Sequence, residues 1–136
     1  MNKIERIITS STEERRESNR KELEKSKTYM INAEKTLKEL EKIEEKMGKF
    51  EITSFFRSHK TNKEVKGSKT SNHLEGKAID GYFIQYTIPK RNQIEFIKKW
   101  IEKNTEFNEI LFYPKKLQWH LGRNEKGKKY INLNMI

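Results

Sequence analysis

The feature that most constrains this chain is a run of apolar side chains at helical spacing between residues 30 and 47. They recur every three or four positions, which places them on one face of a single helix. Gly48 follows the last of them, and glycine is a common residue just past the end of a helix. The pattern predicts a long amphipathic helix whose apolar face must pack against another element. That face consists of Met30, Ala33, Leu37, Leu40, Ile43 and Met47.

The segments after Gly48 predict the elements against which this helix packs. "KFEITSFF" and "GKAIDGYFIQY" are rich in β-branched and aromatic residues and predict two strands, separated by a polar, loop-like segment over residues 57–72. Pro89 begins a predicted helix, "PKRNQIEFIKKWIEKN". "EFNEILFY", "KLQWHLG" and "KKYINLN" predict three further short strands. This order of elements predicts an α+β domain in which a small, mostly antiparallel sheet is flanked by helices.

The first 28 residues are almost all charged or small and polar. We therefore expect residues 1–28 to form a helical or partly disordered N-terminal arm, and residues 29–136 to form the folded domain. Composition points the same way, because 37% of the residues are charged and only 32% are hydrophobic. A chain with this balance is expected to keep part of its length outside a packed core.

The formal net charge of +10 favours a polyanionic partner, which can be nucleic acid, acidic lipid or an anionic cell-wall polymer. Lysine is generally interleaved with glutamate, and there is no RNP-like aromatic motif or compact Arg-rich segment, so no specific nucleic acid is expected.

The absence of cysteine excludes disulfides, thiolate metal sites and a cysteine nucleophile. No apolar run is long enough to cross a bilayer, and the start of the chain lacks a secretory signal. We expect a protein made in the cytoplasm that reaches any target outside it by another route.

Three residues are candidate metal ligands: His73, Asp80 and His120. Asp80 is the only aspartate, since the other 19 acidic residues are glutamates. Imidazole and carboxylate are both good zinc ligands, and three protein ligands with one open position are typical of a catalytic zinc site. The alternative is that both histidines are ordinary polar residues and that Asp80 caps a turn. Because a histidine and an aspartate seven residues apart are common, their spacing alone favours this alternative.

The residues around His73 and Asp80 resemble the zinc D,D-carboxypeptidases and endopeptidases of peptidase family M15, particularly their small phage and bacterial branch. That family has a Thr-Ser-x-Tyr-Arg-Ser-like run at the end of a strand, then an Asn, a Gly-Ser segment and Ser-x-His-x-x-Gly-x-Ala-x-Asp. Its last ligand is a histidine in a Trp-bearing strand, matched here by Trp119-His120. The resemblance covers roughly residues 30–136, and it implies the fold of the hedgehog and D-Ala-D-Ala peptidase type. The matching residues are Thr53-Ser54-Phe55-Phe56-Arg57-Ser58, Asn62, Gly67-Ser68 and Ser71-Asn72-His73-Leu74-Glu75-Gly76-Lys77-Ala78-Ile79-Asp80.

What the resemblance implies is a zinc-dependent peptidase that acts on peptidoglycan stem peptides or cross-bridges. Its activity would be that of a D-Ala-D-Ala carboxypeptidase or of an endolysin-like endopeptidase. His73, Asp80 and His120 would bind Zn²⁺, and Arg57 would direct its guanidinium at the scissile carbonyl or at a substrate carboxylate.

Supporting roles are expected for residues beside these four. Ser71 would hydrogen-bond locally and orient the His73 loop, while Tyr113 could donate a hydrogen bond to the substrate. Trp119 belongs to the matched strand and is expected near the substrate. His59 has no counterpart in the family and is interpreted as an exposed loop residue.

The chain departs from the family at the general base. Related sequences carry a carboxylate three or about six residues before the last ligand, and here those positions are Leu117 and Pro114. Neither side chain can accept a proton, so Glu109 is the tentative base, with Glu75 as a second candidate.

Two functional classes therefore remain open. The first is an active wall peptidase, such as a phage-type lysin or a virion-associated hydrolase that reaches the wall through a pore or from a particle. The second is a binding module of the same fold that holds a peptide, a protein or the cell wall without cleaving it. A basic nucleic-acid binder is a distant third, because it leaves the histidine and aspartate residues unexplained.

Overall fold

A computed structural model of the chain describes residues 2–131, which form five α-helices and a five-stranded sheet. Two short 3₁₀ turns, Asn72–Glu75 and Ile84–Tyr86, flank the second strand. The helices are α1 (Lys3–Ile7), α2 (Glu13–Glu24), α3 (Lys27–Met47), α4 (His59–Glu64) and α5 (Arg91–Asn104). The strands are β1 (Phe50–Ser54), β2 (Ala78–Phe83), β3 (Glu109–Tyr113), β4 (Gln118–Gly122) and β5 (Tyr130–Ile131).

The sheet has the order β1-β2-β4-β3-β5, and all its pairings are antiparallel except the one between β3 and β5. The predicted α+β class with a mostly antiparallel sheet is confirmed. Strands β2 and β4 lie at the centre, and their register sets Asp80 directly opposite His120. Because strand side chains alternate between faces, the residues beside this pair, Ile79, Trp119 and Leu121, all point into the hydrophobic core.

Helix α3 is the predicted amphipathic helix and extends from Lys27 to Met47. The Ser26 side chain caps its start by accepting a hydrogen bond from the amide of Tyr29. At its other end Gly48 has a φ of 89°, in the left-handed region that glycine tolerates best. The predicted apolar face is buried from Ala33 onward, and it covers the sheet together with α5.

The N-terminal segment is helical, and its apolar residues belong to the same core as those of the sheet. Ile7, Ile8 and Leu23 are all at most 3% exposed. The carbonyl of Ile7 also accepts a hydrogen bond from the amide of Phe56, just after β1. Helices α1 and α2 are therefore docked on the sheet domain, and the division at residue 28 stays a prediction about domain organisation.

Two local differences from the sequence-based expectations have simple causes. The segment 57–72 contains helix α4, because the Ser58 hydroxyl accepts a hydrogen bond from the Thr61 amide and caps a short turn of helix. The second predicted strand ends at Phe83, where the chain turns through the 3₁₀ segment Ile84–Tyr86. Among the described residues, no helix is long and apolar enough to span a membrane.

Candidate metal centre

His73, Asp80 and His120 meet at one end of the central strands. His73 lies in the 3₁₀ turn before β2, Asp80 lies in β2, and His120 lies in β4. One potential ligand atom from each residue lies within 4.8 Å of the other two. The sheet register brings two of the three residues together, since Asp80 and His120 are cross-strand neighbours. The turn that carries His73 adds the third.

His73 is held so that one ring nitrogen faces the cluster. Its Nδ1 donates a 2.7 Å hydrogen bond to the carbonyl of Phe55, and Ser71 Oγ accepts a hydrogen bond from its backbone amide. The ring is 3% exposed, and its Nε2 has no hydrogen-bond partner although Asp80 Oδ2 lies 3.1 Å away. A cation placed between Nε2 and this carboxylate oxygen would satisfy both atoms.

Asp80 accepts contacts from three cationic or polar groups. Its Oδ1 lies 2.8 Å from His120 Nδ1, and its Oδ2 lies 3.3 Å from Arg57 Nη2 as well as close to His73. Burial by itself raises the pKa of the Asp80 carboxyl, but the attraction of His73 and the hydrogen bond from His120 outweigh it and hold the pKa far below its usual range. The Asp80 carboxyl is therefore ionised at any physiological pH.

His120 lies between two carboxylates. Besides the Asp80 contact at Nδ1, its Nε2 lies 2.9 Å from Glu109 Oε1. Burial lowers the pKa of His120, but the hydrogen bonds to Asp80 and Glu109 outweigh burial and raise it to about 9. Without a metal the ring is therefore an imidazolium, and a metal at Nδ1 would take the place of that proton.

Glu109 is fixed on the far side of His120 by amides. Its Oε2 accepts hydrogen bonds from Asn72 Nδ2 at 2.9 Å and Asn124 Nδ2 at 3.1 Å. The hydrogen bond from His120 is the main reason that the pKa of Glu109 is lowered. Gly122 leaves the space that this carboxylate fills, because a Cβ there would overlap Oε1. One oxygen of Glu109 thus bonds the candidate ligand His120, and the other is held by the two asparagine amides.

Arg57 is held at the same site by four contacts. Its Nε donates to Ser54 Oγ at 3.0 Å, its Nη1 to Asn62 Oδ1 and its Nη2 to Asp80 Oδ2, both at 3.3 Å. Its backbone amide also donates to the carbonyl of His73. The residues of the sequence motif between 54 and 80 therefore form one hydrogen-bonded unit around the candidate ligands.

The three candidate ligands open into a cleft of about 350 Å³. Tyr113, the last residue of β3, projects into it with 42% of its surface exposed. Burial and the negative charges of Asp80 and Glu109 raise the pKa of the Tyr113 phenol, which keeps it a hydrogen-bond donor. Asp80 is the only carboxylate among the described residues that line the cleft. The lining residues are Thr53, Arg57, Ser71, His73, Asp80, Tyr113, Lys116, Gln118, Trp119 and His120.

Trp119 lines the base of the cleft, whereas Glu75 and His59 lie outside it. The ring of Trp119 packs in the core against Phe83 and Phe112, with ring centroids 5.7 and 5.0 Å apart. Its indole is therefore part of the scaffold beneath the cleft. Glu75 is exposed beside Lys77, and His59 is exposed and paired with Glu22.

Sequence reasoning missed the amides that hold Glu109. Asn72 directly precedes the candidate ligand His73, and this position in the sequence was a signal that could have indicated a role at the site. Asn124 carries no such signal, because only the pairing of β3 with β4 brings it to Glu109.

The donor set fits zinc. Two imidazole nitrogens and one carboxylate oxygen are the ligand types that Zn²⁺ accepts in catalytic sites with three protein ligands. The buried, unpartnered Nε2 of His73 is a lone pair that such an ion would satisfy.

Comparison with known proteins agrees with this geometry. A family model described as Peptidase M15 matches residues 7–121, which include all three candidate ligands. The comparison with curated proteins gave no match.

Proposed function

This chain belongs to the peptidase M15 family, and we propose that it is a zinc-dependent peptidase that hydrolyses peptide bonds of peptidoglycan. The activity would be that of a D-Ala-D-Ala carboxypeptidase or of an endolysin-like endopeptidase. The observation that carries the proposal is the convergence of His73, Asp80 and His120 at the base of an open cleft.

The three residues would hold Zn²⁺ through His73 Nε2, an Asp80 carboxylate oxygen and His120 Nδ1. These are the atoms that face one another, while the second ring nitrogen of each histidine is already bonded to Phe55 or Glu109. Zinc in such a site supplies Lewis-acid chemistry: it polarises a scissile carbonyl and makes water nucleophilic near neutral pH.

Arg57 would support both the ligand and the substrate. Its hydrogen bond to Asp80 keeps that carboxylate oriented, and its guanidinium lines the cleft where a peptide carbonyl or carboxylate would lie. A planar group with several donors suits negative charge that develops on a carbonyl oxygen. The Tyr113 phenol, on the strand next to His120, offers a second donor to the same substrate.

Glu109 is better suited to positioning than to proton transfer. Its carboxylate bonds His120 on the side away from Asp80, and it is not among the residues that line the cleft. A carboxylate bonded to the distal nitrogen of a metal-binding histidine sets its tautomer and orientation. We propose this role for Glu109 in place of the base.

A second candidate function is a binding module with the same zinc site. The observation that favours it is the content of the cleft: Leu117 and Pro114 occupy the expected base positions, and no carboxylate besides Asp80 lines the cleft among the described residues. Loss of a general acid–base group typically costs ~10²–10⁴-fold in rate. Only a measurement of peptide turnover therefore distinguishes a slow enzyme from a binding module.

The test uses the full chain loaded with one equivalent of zinc and incubated with peptidoglycan fragments, with mass spectrometry of the products. We expect zinc-dependent fragments that identify the cleaved bond and that are absent with Asp80→Ala. The matched control is Glu51→Ala on the neighbouring strand β1, which should leave cleavage intact. Stoichiometric zinc without cleavage of any fragment would favour the binding module, and stoichiometric zinc retained by Asp80→Ala would refute the ligand assignment.

A further inference from the structure

The positive charge of the chain is concentrated in two segments. Residues 57–71 contain five Lys or Arg and one Glu, and residues 114–129 contain six Lys or Arg and one Glu. These 31 residues therefore carry nine of the ten net positive charges, although the lysines of the whole chain are widely distributed. The remaining 105 residues are nearly balanced.

Both segments contribute residues to the wall of the cleft. Arg57 and Ser71 from the first segment, and Lys116 from the second, line the cleft of the candidate metal centre. An adjoining depression of about 500 Å³, which shares Ser71 with the cleft, lies between Lys69 of the first segment and Lys126 of the second. Positive charge thus borders both the cleft and the surface that continues from it.

Most of this charge is not neutralised within the protein. The two glutamates of these segments form ion pairs with residues outside them, Glu64 with Arg15 and Glu125 with Lys77. Eight lysines of the segments are exposed and make no ion pair with any residue that the structure describes. We call these eight residues the lysine rim, of which Lys116 lines the cleft and Lys69 and Lys126 line the adjoining depression: Lys60, Lys63, Lys66, Lys69, Lys115, Lys116, Lys126 and Lys128.

We infer that the lysine rim binds a phosphate-bearing polyanion of the cell wall and so brings the cleft to wall peptides, an inference that rests on the proposed function. Lysine ammonium groups are point charges that bind phosphate without fixed geometry, which suits a flexible polymer. Unpaired charges of one sign around a cleft raise the local concentration of an oppositely charged substrate.

The same segments are poorly equipped to bind nucleic acid. Their two arginines are engaged inside the protein, Arg57 with Asp80 and Arg123 with Thr36 and the carbonyl of Asn32. No Phe, Tyr or Trp lies between residues 57 and 71, and the ring of Trp119 is buried in the core. Free guanidinium groups, with which proteins read bases, are therefore missing from both segments, and the exposed rings of Tyr113 and Tyr130 lie just outside the second one.

The experiment measures co-sedimentation of the full chain with wall sacculi that carry polyol-phosphate polymers, and with the same sacculi after chemical removal of those polymers. The rim variant replaces Lys63, Lys66, Lys69 and Lys126 by Gln. The matched control replaces four exposed lysines of α3 and α5 by Gln: Lys35, Lys38, Lys99 and Lys103. Each protein is assayed at low and high salt, with duplex DNA as competitor.

We expect the wild type and the control variant to bind untreated sacculi, with binding that falls as salt screens the charges. The rim variant should bind about tenfold or more weakly, because it loses four unpaired charges from the segments that border the cleft, whereas the control loses the same number from α3 and α5. Equal binding by the rim and control variants, or equal wild-type binding to stripped sacculi, would overturn the inference. Displacement by DNA at lower concentration than by free polyol-phosphate polymer would overturn it in favour of a nucleic acid.

Hydrolysis of a short wall peptide is measured in parallel with the wild type. A wild type that binds polymer-bearing sacculi but cleaves no peptide would refute the proposed peptidase and leave the rim assignment standing. If the wild type cleaves the peptide but binds stripped and untreated sacculi equally, the rim assignment is refuted and the proposed peptidase stands.

Discussion

At the scale of single residues, the candidate site depends on which nitrogen of each histidine is left free. The Phe55 carbonyl accepts a hydrogen bond from Nδ1 of His73, which directs Nε2 inward, whereas Glu109 accepts one from Nε2 of His120, which directs Nδ1 inward. The two histidines therefore present opposite ring atoms, and each choice is made by a hydrogen bond on the far side of the ring. A partner residue outside the ligand set thus decides the geometry of the ligands.

Glu109→Ala is the change that isolates this positioning role. It removes the hydrogen bond to His120 Nε2, so we expect zinc affinity to fall ~10–100-fold, the usual effect of losing such a partner. Glu109→Gln keeps an oxygen that can accept from Nε2 and should retain part of the affinity. Chelator competition measures the affinity, and ¹⁵N NMR of the His120 ring reports its tautomer. Glu106→Ala, an exposed carboxylate in the preceding loop, serves as the control. Unchanged zinc affinity and tautomer in Glu109→Ala would refute the role.

At the scale of elements, helix α2 supports the loop that carries Arg57. Asn19, fully buried on α2, donates from Nδ2 to the carbonyl of Ile8 and accepts at Oδ1 from the amide of Ser58 at 2.8 Å. Ser18 adds a hydroxyl contact to Ser58 on the same face. One amide side chain therefore joins α1, α2 and the start of α4, and it fixes the backbone next to Arg57.

Asn19→Ala should destabilise the protein although alanine is the better helix former. It leaves the Ile8 carbonyl and the Ser58 amide without partners, at ~1–3 kcal/mol for each unsatisfied group that stays buried. Urea unfolding of the zinc-free protein measures the loss in the free energy of unfolding. The control is Asn92→Ala, at an exposed position in the first turn of α5. If the two variants are equally stable, Asn19 does not join these elements in the way described.

At the scale of the whole molecule, the paired carboxylates around His120 link folding to pH. The folded pKa of His120 is about 9 against an ordinary value of 6.5, so in the absence of metal the folded protein holds a proton that the unfolded chain releases. This stabilisation is complete below pH 6.5 and is lost as pH rises through 9. A shift of this size corresponds to about 3 kcal/mol.

We therefore expect the zinc-free protein to lose about that much free energy of unfolding between pH 6.5 and pH 9. Urea unfolding with a chelator present, at both pH values, measures the loss. His120→Gln keeps the size and polarity of the side chain but has no such proton, so its stability should change much less over the same range. A wild type and a variant with parallel pH dependence would show that His120 is not the group responsible.

Much of the architecture could be predicted from the sequence because it depends on local periodicity. The spacing of Ala33, Leu37, Leu40 and Ile43 defines α3, and Gly48 ends it, since both signals act within a few residues. The motif around His73 and Asp80 likewise lies within one short segment. The charged N-terminal segment was harder, because its few apolar residues are far outnumbered by charged and polar ones, and yet Ile7, Ile8 and Leu23 are almost completely buried.

The set of elements and the candidate ligands could therefore be predicted, because both follow from residue types at short spacing. The contact between Glu109 and His120 could not be predicted in this way. Glu109 and His120 are not neighbours along the chain. The register of β3 with β4 and the space left by Gly122 bring the Glu109 carboxylate to Nε2 of His120. Register and long-range hydrogen bonds arise from the packing of the whole sheet, and no local pattern encodes them.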